Sequence, residues 1–126
     1  MIFPNGDVYN GEYDEDGLMS GSGVIKYANG DMYSGDFSQG LMHGAGKMNY
    51  ANGAVYIGEF HDDLLDGEGE YRFPSHTQMY KGQFREGLMH GQGILMELDK
   101  TESKFGWWQD GEFVGPDPPL EEIKPH

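Results

Sequence analysis

The sequence predicts an all-β protein, built as an elongated, single-layer, twisted antiparallel sheet of consecutive β-hairpins. Three observations carry this. A core reading aromatic-x-Gly-acid-aromatic recurs at Tyr9–Tyr13, Tyr33–Phe37, Tyr56–Phe60 and Tyr80–Phe84, with Gln83 in the acid's place in the last copy; the leading tyrosines are 24, 23 and 24 residues apart. A Gly-x-Gly pair follows each core, at Gly21/Gly23, Gly44/Gly46, Gly67/Gly69 and Gly91/Gly93. Between these landmarks apolar and polar residues alternate with period two, the signature of half-buried strands. A repeat of this length is stable as a stack in which each unit touches only its neighbours, so no thick core is needed.

Each element follows in chain order. Residues 1–8 form a partial unit, because Phe3-Pro4-Asn5-Gly6-Asp7-Val8-Tyr9 parallels Tyr27-Ala28-Asn29-Gly30-Asp31-Met32-Tyr33. Full units open at Tyr9, Tyr33, Tyr56 and Tyr80. On the first strand of the second unit Tyr33, Gly35 and Phe37 share a face, and Ser34 and Asp36 take the other. On its second strand Gly44, Gly46, Met48 and Tyr50 oppose Ala45, Lys47 and Asn49. Asn5-Gly6, Asn29-Gly30 and Asn52-Gly53 predict tight hairpin turns, since both residues tolerate positive φ. Pro74–Gln78 is the longer counterpart. The second connection, Ser38–His43, recurs as Arg85–His90 and, less regularly, as Asp14–Ser20 and His61–Asp66. A degenerate unit from Lys104 closes the array, with Trp107 and Trp108 expected to cover the last edge. The array thus spans residues 1–115, and a Pro-rich tail, 116–126, is expected to be extended.

Composition narrows the function. Net charge is −14 with only 8 Lys and Arg, which disfavours nucleic acid and anionic lipid, both of which attract basic clusters. With no cysteine there is no disulfide framework and no thiolate site. Neither a bilayer-spanning apolar run nor, in Met1–Tyr9, a secretory signal is expected. Leu, Ile, Val and Phe together make up under a fifth of the chain; with this charge that composition borders on disorder, but aromatics and glycines recurring in register argue for order.

The repeat resembles the MORN family (membrane occupation and recognition nexus), whose consensus runs Tyr-x-Gly-Glu-aromatic, two residues, Gly, three residues, Gly-x-Gly, then an Asp/Asn-Gly turn. Tyr33 through Gly53 follows it almost throughout, and Tyr9 and Tyr80 open close matches; the third unit departs at Asp63, where Gly is usual, and in lacking the Asn-Gly turn. The resemblance implies a non-enzymatic scaffold that binds a cytoskeletal or ciliary protein partner. It also implies a cytoplasmic setting, on the cytoskeleton or the axoneme of a cilium, as in radial spokes. Phospholipid anchoring, the role behind the family's name, is disfavoured by the charge. Edge-to-edge self-association is open to any sheet with a free edge.

The expected partner-binding groove is the aromatic stripe: Tyr9, Tyr13, Tyr33, Phe37, Tyr56, Phe60, Tyr80 and Phe84. A one-layer sheet has no second layer to cover such a face. Met32, Met48 and Met79 are expected to extend it, and the Leu-Met pairs 18/19, 41/42 and 88/89 to clip adjacent hairpins together. Glu12, Asp36 and Glu59 lie on successive hairpins, which suits cross-strand hydrogen bonding better than a paired-carboxylate catalytic site. His43 and His90 read as structural hydrogen-bond donors in a turn, and Asp14-Glu15-Asp16-Gly17 lacks the later ligands of a calcium loop. No catalytic residue, metal site or cofactor is predicted.

Overall fold

The computed structural model describes residues 2–98 and 102–116. Among them ten strands run in chain order: β1 (Val8–Tyr13), β2 (Met19–Lys26), β3 (Met32–Ser38), β4 (Leu41–Asn49), β5 (Val55–His61), β6 (Leu64–Arg72), β7 (Gln78–Arg85), β8 (Leu88–Glu97), β9 (Glu102–Gln109) and β10 (Glu112–Gly115). They form one open antiparallel sheet in which every strand pairs with its sequence neighbours. At the spacing of paired strands this ribbon is about 40 Å long. The expected all-β hairpin array is therefore what the chain builds. The expected tail lies, beyond Pro116, outside the described residues.

Glycine facing glycine sets the register. Gly23 pairs with Gly11 and Gly35, Gly46 with Gly35 and Gly58, Gly69 with Gly58 and Gly82, and Gly93 with Gly82 and Gly106. This row admits no side chain: a Cβ on Gly35 or Gly58 would run into the facing glycine's backbone, and one on Gly46 or Gly69 into the ring of Tyr33 or Tyr56. Each hairpin also carries a bulge beside the acid position, such as that between Gly35 and Phe37. There the first glycine of each Gly-x-Gly pair takes a left-handed φ, +86° at Gly44. The motif acid lies against this glycine. Glu12 Oε2 accepts the Ser22 N–H at 2.7 Å, and Gln83 Oε1 accepts the Gln92 N–H at 2.8 Å. The acid position thus ties the bulge down by hydrogen bonding across strands.

The Asn-Gly sites do form tight hairpin turns, but only their glycines take positive φ. At Ala28-Asn29-Gly30 only Gly30 has positive φ. Gly30 N–H donates to the Tyr27 carbonyl and Tyr27 N–H to that of Asp31, which makes a three-residue loop with a terminal glycine bulge. Asn29 instead uses Oδ1 to accept the Asp31 N–H at 2.9 Å. The two-residue turns with both φ positive lie at the opposite end of the strands: Gln39-Gly40, Asp62-Asp63, Glu86-Gly87 and Asp110-Gly111.

Neighbouring turns in each row are stitched together. In one, Asp7 Oδ1 accepts the Ala28 N–H at 2.8 Å and Asp31 Oδ1 the Ala51 N–H at 2.7 Å. In the other, N–H groups of Gly40, Asp63, Gly87 and Gly111 donate to the carbonyls of Met19, Met42, Leu65 and Met89. Leu18 and Leu88 also lean on Gly40 and Gly111 of the next turn. The Leu-Met pairs do clip the hairpins.

The last unit differs from expectation in one respect. Trp107 and Trp108 lie in β9, and β10 forms the edge beyond them. Trp108 fills the place held by Phe84 one unit earlier, because Gly91 pairs with Trp108 as Gly67 pairs with Phe84.

Candidate partner-binding trough

The eight rings of the aromatic stripe come together as one zigzag. Each tyrosine is clasped edge-on by an aromatic on its own strand and one on the next hairpin: Tyr33 by Phe37 (5.1 Å between centroids) and Phe60 (4.9 Å), and Tyr56 by Phe60 and Phe84. Tyr9 sits between Tyr13 and Phe37, and Tyr80 between Phe84 and Trp108, which passes the chain of rings on to Phe113. Edge-to-face pairs of this kind each contribute about 0.5–1.5 kcal/mol beyond area burial. Each tyrosine hydroxyl donates to a carbonyl three residues on, Tyr33 to Asp36 at 2.7 Å and Tyr56 to Glu59 at 2.9 Å.

This packing leaves little of the stripe at the surface. Tyr9, Tyr33, Tyr56 and Tyr80 have 0% exposure, and Phe37, Phe60 and Phe84 are buried, while Tyr13 is 41% exposed. The single layer buries its rings against its own glycines, which leave the volume the rings occupy. The stripe is the core of the array. A partner on this side meets the residues that flank it.

Those flanking residues form a trough. Phe3, Met19, Tyr27, Tyr50, Leu65, Tyr71, Phe73, Met89 and Leu95 are half-buried against the ring core. They are the apolar ends of the strand alternation that includes Ile25 with Tyr27 and Tyr71 with Phe73, so the sequence carried this signal. The face is concave. Along a six-residue strand the two turn rows would lie about 20 Å apart if flat. Yet one hollow of about 450 Å³ is lined by Pro4 and Asn5 from one row and by Gly40 and Asp63 from the other, with Tyr27 and Met19 on its floor. The Tyr27 hydroxyl reaches across to Met42 Sδ at 3.7 Å. A second hollow of about 390 Å³ lies further along, between Asn52 and Gly87, over Tyr50, Leu65, Tyr71 and Met89. Of the methionines expected here, Met48 is buried in the core. Met32 and Met79 directly precede Tyr33 and Tyr80 on their strands and so point to the opposite face.

The trough is acidic at its rim. Burial first, and then the charges of Asp63, Asp7 and Asp31, push the Tyr27 hydroxyl up to about 12. Burial raises Tyr50 to about 12 as well, with Tyr71 and Asp31 adding to it. By strand parity Lys26, Lys47, Arg72, Lys81 and Arg85 fall on the opposite face. On the trough side Lys104 lies at the far end, its Nζ 5.8 Å from the Phe113 ring centroid.

A family model for the MORN repeat matches residues 9–32, 33–55, 56–78 and 80–96. The chain belongs to the MORN-repeat family. Its glycine ladder and tyrosine zigzag are the physical content of that match, and β9 continues the same register past the last matched residue. MORN repeats are interaction modules for proteins or membranes and are not catalytic. No curated protein matches the chain.

Proposed function

We propose that this MORN array is a non-enzymatic scaffold whose trough seats an apolar segment of a protein partner carrying lysine or arginine. The observation that carries this is the pairing of an apolar floor (Met19, Tyr27, Tyr50, Leu65, Tyr71) with a rim of Asp7, Asp31 and Asp63. Such a surface desolvates an apolar anchor while the rim steers and orients cations. The resemblance to MORN arrays of cytoskeletal and ciliary assemblies supports a cytoskeletal or axonemal partner, and with it a place on the cytoskeleton or in a cilium. The net charge of −14 weighs against an anionic membrane as the alternative.

The test uses floor residues, since truncating the fully buried Tyr33 or Tyr56 would remove core packing. Extract from ciliated cells is passed over the intact chain and over a Tyr27→Ala/Tyr71→Ala variant whose β circular dichroism is unchanged. Cytoskeletal or axonemal proteins retained only by the intact chain, and released as salt rises through about 0.5 M, are the expected result. Equal retention by both chains would move the contact off the trough.

A further inference from the structure

On the face opposite the trough, four successive hairpins present the same three points. These are the residue before the first glycine of the Gly-x-Gly pair, the residue across from it on the next strand, and the first residue of the two-residue turn. The sets are Ser20, Ser38, Gln39; His43, His61, Asp62; Asp66, Arg85, Glu86; and His90, Gln109, Asp110. The second set alone puts a metal-ligating side chain at every point.

Its geometry brings those donors together. His43 and His61 are cross-strand neighbours, one step beyond the Gly44–Phe60 pair. Their ring centroids lie 5.0 Å apart and their planes are inclined by 52°. Asp62 sits between them, with Oδ1 3.8 Å from His43 Nδ1 and Oδ2 3.5 Å from His61 Nε2. One ligand atom from each residue lies within 4.8 Å of the others. His43 Nδ1 is enclosed and has no hydrogen-bond partner among the described residues. Two imidazoles turned toward one carboxylate, with an enclosed nitrogen unsatisfied, leave a role for a shared cation.

We propose that His43, His61 and Asp62 form a binding site for one divalent transition-metal ion of the zinc class. Imidazole nitrogen favours zinc, copper and nickel over calcium and magnesium. Bonds of about 2.0–2.2 Å place the ligand atoms of a tetrahedral zinc site roughly 3.4 Å apart. The Asp62 oxygens stand 3.8 and 3.5 Å from the two imidazoles and the three ligand atoms span up to 4.8 Å. The side chains of His61 and Asp62 are 63% and 61% exposed, free to rotate inward and complete the approach. The fourth position opens to solvent and takes water or a donor from a partner. The ion would also clip β4 to β5 near the middle of the array.

The test is calorimetric titration of the tag-free chain with Zn²⁺ alone, beside His43→Asn, His61→Asn and His90→Asn variants, with Ca²⁺ as a second titrant. We expect one saturable Zn²⁺ per chain, weakened at least about tenfold by His43→Asn and by His61→Asn. We expect no change with His90→Asn and no saturable Ca²⁺ signal. Zn²⁺ should raise the unfolding temperature of the intact chain and not that of His61→Asn. No saturable Zn²⁺ binding, binding that survives His61→Asn, or equal loss with His90→Asn would each overturn the site. His61 is exposed, so its variant keeps the fold and decides the matter should His43→Asn unfold.

Discussion

Gly46 shows how strictly single residues are constrained. Its φ lies outside the left-handed region, so any amino acid could adopt its backbone, yet a Cβ there would enter the Tyr33 ring. That ring is held between Phe37 and Phe60 and has nowhere to retreat. Gly17 is the converse, with φ +82° and nothing within 4 Å of an added Cβ. Gly46→Ala should therefore destabilise by about 3 kcal/mol through overpacking, and Gly17→Ala by about 1 kcal/mol through backbone strain alone. Urea unfolding of both variants checks this. Comparable losses would mean that ring-over-glycine packing is not what fixes the register. Tyr33→Phe keeps the ring and removes the hydroxyl bonded to the Asp36 carbonyl. It should cost about 1–2 kcal/mol, the penalty for a carbonyl left unsatisfied.

At the scale of elements, the turns hold the array together as much as the strands do. Asp63 stands where the equivalent turns have Gly40, Gly87 and Gly111, and it keeps their left-handed backbone at φ +73°. In return its carboxylate accepts the Met42 N–H at 2.8 Å, while its own N–H donates to the Met42 carbonyl. Asp63→Gly relieves the backbone and loses one bond, so it should fall within about 1 kcal/mol of the parent. Asp63→Ala keeps the strain and loses the bond, and should be less stable than Asp63→Gly by about 1 kcal/mol. Thermal unfolding of the pair decides it, and Asp63→Ala equal to Asp63→Gly would refute the strain. The turns also mark where the sequence was readable. Periodicity placed the hairpins that open at Tyr9, Tyr33, Tyr56 and Tyr80 and the clip made by the Leu-Met pairs, but not the edge strand β10. It placed the hairpin turn at Asn29-Gly30 but not its type, because the Asn side chain satisfies the loop backbone and so removes the need for a second positive φ. It also took the aromatic stripe for an open groove. Alternation tells which residues share a face. It does not tell that tyrosine, arching over two glycines, fills that face by itself and leaves Tyr27, Tyr50 and Tyr71 as the surface.

Across the whole molecule the continuous ring zigzag makes the array's stability depend on keeping its tyrosines neutral. Burial is the first cause at each one. It pushes Tyr27, Tyr50 and Tyr80 up to about 12 and moves Tyr9, Tyr33, Tyr56 and Tyr71 in the same direction. The sign follows from proton counting. In the unfolded chain tyrosine ionises near pH 10. Between about pH 10 and 12 the unfolded chain thus holds fewer protons than the folded one, and stability falls as pH rises. Below about pH 10 both states keep these protons, and tyrosine contributes no slope. The urea midpoint should therefore be insensitive to tyrosine up to about pH 10 and drop steeply above it. Because each ring touches the next hairpin's ring, ionisation of one loosens its neighbours. Tyrosinate absorbance near 295 nm should then appear together with the loss of β circular dichroism, in one step. Most tyrosines ionising near pH 10 with the β signal intact would show that the rings are open to solvent. The stripe would then be a groove after all, and the contact surface for a partner would return from the trough's flanks to the tyrosines themselves.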